Sequence, residues 1–404
     1  MTAALELRDS SPDHLLSELF PQNVTDTAFT HSDAVVCLDV PDHGRWTLEV
    51  HDGVAEVSSG THPDPTSVVT TSAETLTDLL TGRRSGVDAF LDGDLTTRGS
   101  LATVLQIGSS FAPEAELPTR PLAREALVDG ARTAYLEAGV PEGHPVVLLH
   151  GLGSSNASML PLLAGLASDC RVLAPDIPGF GASEAPLWTY TAERMSRWLD
   201  AFLTATDARG ATVIGNSMGG RLALELAMHD SEAASELVLL CPSPAFRRFR
   251  QFVPLVKYLP VTLGAAPRFT VPRSLILESA KRLVAKPRRI PENWFEAAAD
   301  EFTIAMSHWR HRRAALSALI NIYVEEPFGE SGFWDRLPGM RTPALFIWGS
   351  EDRLVPAKFA RHVRKAVPAA RSVILPDCGH APQIELPAWT LRLSRAFIRG
   401  PGRP

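Results

Sequence analysis

Apolar positions are arranged in two different ways along the chain. Up to about residue 111, short runs such as AVVCLDV, RWTLEVH and SVVTT mix apolar with polar residues, and turn sequences such as PDHG and HPDP separate them. Runs of this kind predict strands joined by hairpins. Two helical segments follow (SAETLTDLLTG, with Ser72 as N-cap, and GVDAFLDG), and then a strand-like DLTTRG and an apolar helix SLATVLQIGSSF. This order predicts a small α+β domain with an antiparallel sheet covered on one face.

A different pattern begins after a segment rich in Pro, Ala and Glu, FAPEAELPTRP. Continuous apolar runs alternate there with helical stretches: PVVLLHG, CRVLAPD, ATVIGNS, ELVLLCP, PALFIWG and SVILPDCGH. Strands buried on both faces lack polar alternation, so these runs predict a mostly parallel sheet with crossover helices. REALVDGARTAYLEAG adds two antiparallel strands at the start, which makes eight. We therefore predict domains at 1–115 and 125–400, joined by a linker at 116–124.

Residues 242–330 interrupt this second pattern between ELVLLCP and PALFIWG. Their helical stretches (RSLILESAKRLVA and PENWFEAAADEFTIAMSHWRHRRAALSALINI) predict a helical cap over the sheet. The cluster HWRHRR is expected to be a solvated helix face and not a metal site. Four aromatic residues are candidates for lining a substrate pocket, and core packing is an equal alternative for them: Trp294, Phe295, Phe302 and Trp309.

Composition describes an ordinary globular protein of two-domain length. The 404 residues are 45% hydrophobic and 21% charged, and no apolar run reaches the roughly 18 residues of a membrane helix. The N-terminal MTAALELRDSSPDHLL lacks a signal-peptide pattern. The four cysteines form no CxxC pair, which indicates neither a disulfide framework nor a zinc site. These features favour a cytoplasmic protein with four buried thiols: Cys37, Cys170, Cys241 and Cys378.

Charge is distributed unevenly between the two parts. Residues 1–120 carry six Arg and no Lys against 19 acidic residues, a net charge of −13, and the remainder carries +6. Residues 242–325 alone carry +8. The asymmetry supports a domain boundary and speaks against nucleic-acid binding by the first part. It also suggests weak docking between the acidic domain and the basic cap, with apolar contact supplying most of the stability.

The sequence GNSMGG follows one buried strand directly and opens a helix, which places Ser217 at the apex of a sharp turn. In this context G-x-S-x-G is a nucleophile elbow. Serine needs a base to accept its proton, and the partners follow in the chain order Ser, acid, His. His380 ends the last strand, and Asp352 ends the strand before it. Glu351 is the alternative acid, but we favour Asp352, and we expect Asp377 to be a turn residue.

Two backbone N–H groups are needed to stabilise an oxyanion. One is expected from Met218, directly after the nucleophile. The other is expected from Leu152 in HGLGSS, after an earlier strand. His150 and Asp176 also lie at strand ends, and we interpret them as residues that shape loops and do not catalyse.

Five motifs in this order, HGLGSS, PDIPGFGAS, GNSMGG, GSEDRLVP and GHAPQIELP, make residues 125–400 resemble an α/β-hydrolase. Haloalkane dehalogenases and epoxide hydrolases of this fold carry aspartate at the elbow, so Ser217 points away from them. GRWTLEVHDGVAEVSSG and TSAETLTDLLTGRRSGVDAFLDGDL make residues 30–112 resemble the sterol carrier protein family. That resemblance implies an apolar tunnel for an acyl chain or sterol. The residues that could line it, or simply fill a core, are Phe90, Leu91, Leu101, Val104, Leu105 and Ile107.

The leading function is therefore hydrolysis of a hydrophobic or lipid-like carboxylic ester through an acyl-serine intermediate, with no cofactor or metal. One alternative is a carbon–carbon bond hydrolase of ring-cleavage products, because GNSMGG is typical of those enzymes. They usually carry Trp after the catalytic histidine, whereas Ala381 follows His380 here. Another alternative is a non-catalytic lipid carrier. We also expect the first domain to hold an apolar ligand and to deliver it to the hydrolase pocket or sense it there.

Overall fold

The computed structural model describes residues 12–14, 16–17, 34–41, 43–51, 54–108, 111, 117–245 and 271–398. They form two sheets, one in each predicted domain. The first sheet has the order β3-β2-β1-β4-β5. Its strands are β1 Ala34–Val40, β2 Gly44–His51, β3 Val54–Ser59, β4 Ser67–Thr71 and β5 Leu95–Gly99.

The first sheet is mainly antiparallel, as predicted. Its hairpin β1–β2–β3 and the pair β4–β5 are antiparallel, but the central pair β1–β4 is parallel. The parallel pair arises because the chain leaves β3 at one edge and returns on the far side of β1. Hairpin patterns fix neighbours that are close in sequence, so they could not reveal this longer-range pairing.

Three helices cover one face of this sheet: α1 Ala73–Leu80, α2 Gly86–Asp92 and α3 Leu101–Gly108. The Oγ atom of Ser72 accepts a hydrogen bond from the amide of Thr75 at 3.1 Å, which confirms the predicted N-cap of α1. Ser85 caps α2 in the same way through the amide of Asp88 at 3.0 Å. The inward-facing side chains of β1 and β4, such as Val36 and Val69, are buried beneath the helices.

The second sheet has eight strands in the order β13-β12-β11-β10-β8-β9-β7-β6. Strand β7 pairs antiparallel with β6 and with β9, and the other pairs are parallel, which confirms the predicted mostly parallel sheet. Its strands are β6 Leu122–Val128, β7 Ala131–Gly139, β8 His144–Leu149, β9 Cys170–Pro175, β10 Ala211–Asn216, β11 Ala234–Leu240, β12 Ala344–Gly349 and β13 Arg371–Leu375. Strand β6 thus begins at Leu122, inside the segment expected to be the linker.

Helices flank this sheet and also form the insertion between β11 and β12. The flanking helices are α4 Leu160–Leu166, α5 Ala192–Ala205, α6 Met218–His229, α11 Phe359–Ala366, α12 Pro382–Glu385 and α13 Pro387–Ile398. The insertion contains α7 Arg273–Leu283, α8 Glu292–Ser307, α9 Trp309–Val324 and α10 Phe333–Arg336, which fits the predicted helical cap. Residues 246–270, which contribute to its expected basic charge, lie outside the described residues. No described helix combines the length and apolar character that a bilayer crossing requires.

One apolar cluster extends across both domains. A continuous cluster of buried side chains runs from the first domain, including Phe90, through Leu163 of α4 to Trp294 of the cap. The ring of Phe90 meets Trp294 edge-on, with ring centres 5.1 Å apart. Apolar side chains therefore form part of the contact between the two domains.

The ionic contact between the domains has the opposite polarity to the net charges of the two parts. Arg98 of the acidic first domain pairs with Asp300 at 2.8 Å and lies 3.8 Å from Glu296, both in the cap. Among the described residues, the ion pairs at this contact thus have their arginine on the acidic domain and their carboxylates on the basic cap. Net charge does not report which few residues meet at an interface, so these pairs could not be foreseen from the charge asymmetry, and docking favoured by that asymmetry stays a prediction.

Candidate active site

Ser217 lies in a strained turn between β10 and α6. Its φ of 52° and ψ of −110° are unusual for a residue with a side chain. Space around the turn is tight, because a Cβ atom on Gly215 would lie 2.5 Å from the backbone carbon of Gly219. A Cβ atom on Gly219 would lie 2.5 Å from the carbonyl oxygen of Leu149. The glycines at these positions therefore allow the turn that presents the Ser217 hydroxyl.

His380 and Asp352 contact each other directly. The Nδ1 atom of His380 lies 2.7 Å from Oδ2 of Asp352, and both residues are buried. The other carboxylate oxygen accepts hydrogen bonds from the amides of Leu354 and Val355, each at 2.8 Å. Glu351, the alternative acid, is exposed. The loop therefore aims Asp352, and not Glu351, at the imidazole.

The remaining ring nitrogen of His380 is available for a further contact. Its Nε2 atom is buried and has no hydrogen-bond partner among the described residues. Both His380 and Ser217 border the same cavity. A buried ring nitrogen without a hydrogen-bond partner costs desolvation free energy, so its presence needs a reason. Exchange of a proton with a group in the cavity is such a reason.

The two expected oxyanion donors are Met218, directly after Ser217, and Leu152, on the loop after β8. Met218 opens α6, and the first amides of a helix have no partner within the helix. Leu152 follows β8 and borders the cavity. The amide of Gly219 donates to the carbonyl of His150 at 3.1 Å, which ties the two loops together.

His150 and Asp176 hold these loops in place. The Nε2 atom of His150 accepts from the amide of Ile177 at 3.0 Å, so its Nδ1–H donates to the carbonyl of Gly151 at 2.8 Å. Burial lowers the pKa of His150 to about 4 and so keeps the ring neutral. Asp176 accepts from the amides of Asn156 at 2.7 Å and Ala182 at 2.8 Å, and burial raises its pKa to about 7. These bonds agree with the loop-shaping roles inferred for both residues.

Sequence reasoning missed two residues that hold the histidine loop. Asn216 donates through Nδ2 to the carbonyls of Leu240 and His380, both at 3.1 Å. Glu385, one helical turn past His380, accepts from the amide of Gly379 at 2.9 Å, of Ala381 at 3.2 Å and of Ala285 in the cap at 2.7 Å. Burial raises the pKa of Glu385, and the three amide donors oppose that effect. The only sequence feature that could have pointed to Asn216 and Glu385 is their position within the motifs GNSMGG and GHAPQIELP.

The histidine loop is also bonded directly to the end of cap helix α7. The amide of His380 donates to the carbonyl of Leu283 at 2.9 Å. Asp377, with a φ of 52°, is exposed and pairs with Lys286 and, at 3.4 Å, with Arg289. These contacts agree with the expected turn at Asp377. They also mean that the position of His380 depends on the cap.

A thiol lies beside the acid and the histidine. One ligand-type atom from each of Cys241, Asp352 and His380 lies within 4.8 Å of the others. Burial and the neighbouring Asp352 raise the pKa of the Cys241 thiol, which opposes the deprotonation that metal ligation needs. The hydrogen bond between His380 Nδ1 and Asp352 Oδ2 occupies two of the atoms for which an ion would compete. The three residues therefore fit a hydrogen-bonded pair next to a structural thiol.

A cavity of about 520 Å³ opens beside Ser217 and His380. This volume lies in the range of roughly 300–1,000 Å³ that is usual for small-molecule sites. Trp294, Phe295 and Phe302 border it, and Trp294 and Phe295 are at the same time part of the buried core. Trp309 does not border it, and its residue surface is 43% exposed at the start of α9. Helical periodicity alone could not show that the chain turns between α8 and α9 and points Trp309 away.

The first domain contains a far smaller space, of about 40 Å³. Five of the six expected tunnel residues border it: Phe90, Leu101, Val104, Leu105 and Ile107. Leu91 does not border it. The space is well below the volume of an ordinary ligand site, so these side chains form a packed core in this structure.

The fold and the family matches together identify the class of protein. The chain belongs to the alpha/beta hydrolase fold family, which matches residues 144–387. Residues 14–112 match the SCP-2 sterol transfer family, which confirms the resemblance drawn for the first domain.

Related proteins carry several hydrolase names. A 2-hydroxy-6-oxo-6-(2'-aminophenyl)hexa-2,4-dienoic acid hydrolase from Metapseudomonas resinovorans is 29% identical over 282 residues, which cover 67% of this chain and 88% of the relative. A pimeloyl-(acyl-carrier protein) methyl ester esterase from Aeromonas hydrophila subsp. hydrophila is 28% identical over 263 residues, which cover 64% and 96%. The structure of the enol-lactonase from Burkholderia xenovorans LB400 matches with a TM-score of 0.55 and 21% identity, over 69% of this chain and 100% of that one.

Proposed function

We propose that the protein hydrolyses a hydrophobic carboxylic ester, with Ser217 as nucleophile, His380 as general base and Asp352 as the acid that orients it. The observation that carries the proposal is the 2.7 Å contact between His380 Nδ1 and Asp352 Oδ2 at a cavity that Ser217 also borders. A histidine held in one tautomer, with its second nitrogen free for a proton, is what an activated serine requires.

The proposed reaction has two stages. His380 Nε2 takes the proton of Ser217 as Oγ attacks the ester carbonyl, and the imidazolium is stabilised by Asp352. The amides of Met218 and Leu152 stabilise the oxyanion, and His380 then protonates the departing alcohol. Water, activated by the same histidine, hydrolyses the acyl-serine and restores the enzyme. Each stage forms and breaks one acyl–oxygen bond, so no further reactant is required.

The composition of the cavity supports an apolar substrate. Most of its lining is aliphatic or aromatic, and Glu301 and His380 are the ionisable residues among the described residues that border it. The match of residues 14–112 to a sterol transfer family agrees with a lipid-like substrate, as does a relative named as an esterase of an acyl-chain ester.

A second candidate is hydrolysis of a carbon–carbon bond in a ring-cleavage product. It is favoured by the relative named as a hydrolase of a 2-hydroxy-6-oxohexa-2,4-dienoic acid derivative. Against it stands Ala381, where such enzymes usually carry Trp. The lining also contains no arginine or lysine among its described residues, although the product of ring cleavage carries a carboxylate.

The test is a hydrolysis panel of p-nitrophenyl esters from acetyl to palmitoyl, run beside a ring-cleavage product of the dienoic acid type. We expect ester turnover that falls by about 10³-fold or more in Ser217→Ala, because only the nucleophile is lost. Turnover of the dienoic acid alone would favour the second candidate. If no substrate is turned over but a fluorescent fatty acid analogue binds, the protein is a lipid carrier. Equal turnover by Ser217→Ala and the unmodified protein would refute the acyl-serine mechanism.

A further inference from the structure

The two internal spaces of the molecule meet at one side chain. Leu101, the first residue of α3, borders both the 520 Å³ cavity beside Ser217 and the 40 Å³ space in the first domain. Among the described residues, it is the one that borders both. Its side chain is buried, with 1% of the residue surface exposed. Leu101 therefore separates the candidate active site from the interior of the first domain.

Cap helix α8 holds the first domain against this cavity. Trp294 borders the cavity and packs against Phe90 of the first domain. One residue earlier, Asn293 donates through Nδ2 to the carbonyl of Phe90 at 3.1 Å. Asp300, two turns further on, accepts from the amide of Gly99 at 3.0 Å and from Nε of Arg98 at 2.8 Å. The same helix thus forms a wall of the cavity and fixes the chain just before Leu101.

Glu301 completes this attachment from inside the cavity. It borders the cavity, and its Oε1 atom accepts from the amide of Ala102 at 3.2 Å, in the first turn of α3. A carboxylate at a helix N-terminus is stabilised by the unpaired amides there. Burial raises the pKa of Glu301, and the amides of Leu101 and Ala102 oppose that effect. Leu101 is therefore held at a fixed position relative to the hydrolase domain.

We propose that Leu101 of the first domain is a specificity-determining residue of the hydrolase, because it limits the apolar volume open to the substrate. This inference rests on the proposed ester hydrolysis. Behind Leu101 lie further apolar side chains of the first domain, including Val104 and Leu105. Truncating Leu101 joins the two spaces, so that the volume freed by the leucine side chain and the space behind it both open to the end of a long acyl chain.

The test compares Leu101→Ala with Leu105→Ala in the full chain. Leu105 is a matched control, since it lies one turn further along α3, is also buried and borders only the smaller space. Both variants lose the same atoms from the same helix. We expect the ratio of kcat/KM for palmitoyl over butyryl esters to rise about tenfold in Leu101→Ala and to stay unchanged in Leu105→Ala.

Two further measurements distinguish a change in chain-length preference from loss of folding and from loss of ester hydrolysis. Thermal unfolding reports whether both variants fold, and if Leu101→Ala does not, Leu101→Val replaces it with a smaller expected rise in the ratio. Binding of a fluorescent long-chain fatty acid analogue in a Ser217→Ala background should tighten several-fold with Leu101→Ala.

The proposed function fails if the unmodified protein cleaves no ester, and the binding measurement still tests Leu101 in that case. The Leu101 proposal is overturned if the folded variant keeps the chain-length profile and fatty acid affinity of the unmodified protein. It is also overturned if Leu105→Ala shifts both as much, because the effect would then come from general loosening of the first domain.

Discussion

The two domains enclose apolar spaces that differ more than tenfold in volume, about 520 Å³ in the hydrolase domain and 40 Å³ in the first domain. In the hydrolase domain, loops at the ends of strands and a separate cap surround the space, and polar backbone contacts hold them apart. In the first domain, three helices pack directly on the sheet. The comparison shows that an apolar face on a strand or helix predicts that the face is buried, but not that a cavity forms there. A cavity also needs loops that hydrogen bonds hold in place around it.

Replacement of Asp352 should have the largest effect on ester turnover. It tests whether the reaction takes place in the cavity of the hydrolase domain. Asp352→Asn leaves the shape of the loop but lets His380 adopt the wrong tautomer, so kcat should fall by about 10⁴-fold. Glu351→Gln is the matched control and should change kcat little, because this neighbouring side chain is exposed. Steady-state kinetics on a short ester measure both. The opposite ranking would show that Glu351 orients the histidine.

Loosening the histidine loop should have a smaller effect on the same cavity. Glu385→Gln has fewer acceptor sites for the three amides it now binds, so we expect kcat to fall about 10- to 100-fold through misplacement of His380. KM for a short ester should change little, because the cavity lining is retained. Glu278→Gln, at an exposed ion pair on α7, is the control. A rise in KM with unchanged kcat would argue against a positioning role.

His150, next to the loop that holds Leu152, should make a contribution to folding stability that is lost in acid. Burial lowers the pKa of His150 to about 4, below its unfolded value of about 6.5, so the unfolded chain takes up the proton first. The contribution of His150 to stability is therefore lost as pH falls from about 6.5 towards 4, by about 2 kcal/mol between pH 7 and 5, whereas the raised pKa of Asp176 acts in the opposite direction. Urea unfolding of the unmodified protein and of His150→Gln measures this as a difference. An identical pH dependence in the two proteins would contradict it.

The ionic contact between the domains should have the smallest effect. The side chain of Arg98 is 58% exposed, so Arg98→Ala should lower the free energy of unfolding by only about 0–1 kcal/mol. Arg83→Ala is the control, at a pair with Asp78 within the first domain. Urea unfolding compares the two variants. A loss of several kcal/mol for Arg98→Ala alone would show that ionic contact, and not the apolar cluster across both domains, holds the domains together.

Much of the fold and the candidate site could be predicted from the sequence. Continuous apolar runs indicate strands buried on both faces, and the strand–turn–helix context of GNSMGG marks Ser217 as the candidate nucleophile without long-range information. Asp352 and His380 follow because parallel strands bring their carboxyl ends to one edge of the sheet. The pairing of β1 with β4 could not be predicted in this way, since it joins segments that local patterns leave independent.

The other differences have the same origin. Trp309 and Phe302 share one helical pattern in the sequence, but the break between α8 and α9 separates their environments. The role of Glu385 depends on amides from two loops and the cap. The ion pairs of Arg98 depend on which residues of the two domains meet, and not on the net charge of each domain. Each of these features is set by contacts between distant segments.

The attachment of α8 to β5 and α3 has a consequence for motion of the molecule. A cap that opened as a rigid lid would have to carry the first domain with it or break the bonds from Asn293, Asp300 and Glu301. The moving body then comprises the cap and some hundred residues more. Local opening at the α7 end of the cap, by contrast, would move Leu283 and Ala285. The backbone of these two residues is hydrogen-bonded to the amide of His380 and to the carboxylate of Glu385. Movement at the α7 end of the cap would therefore change both access to the cavity and the position of His380. The α8 end of the cap is held by its bonds to the first domain.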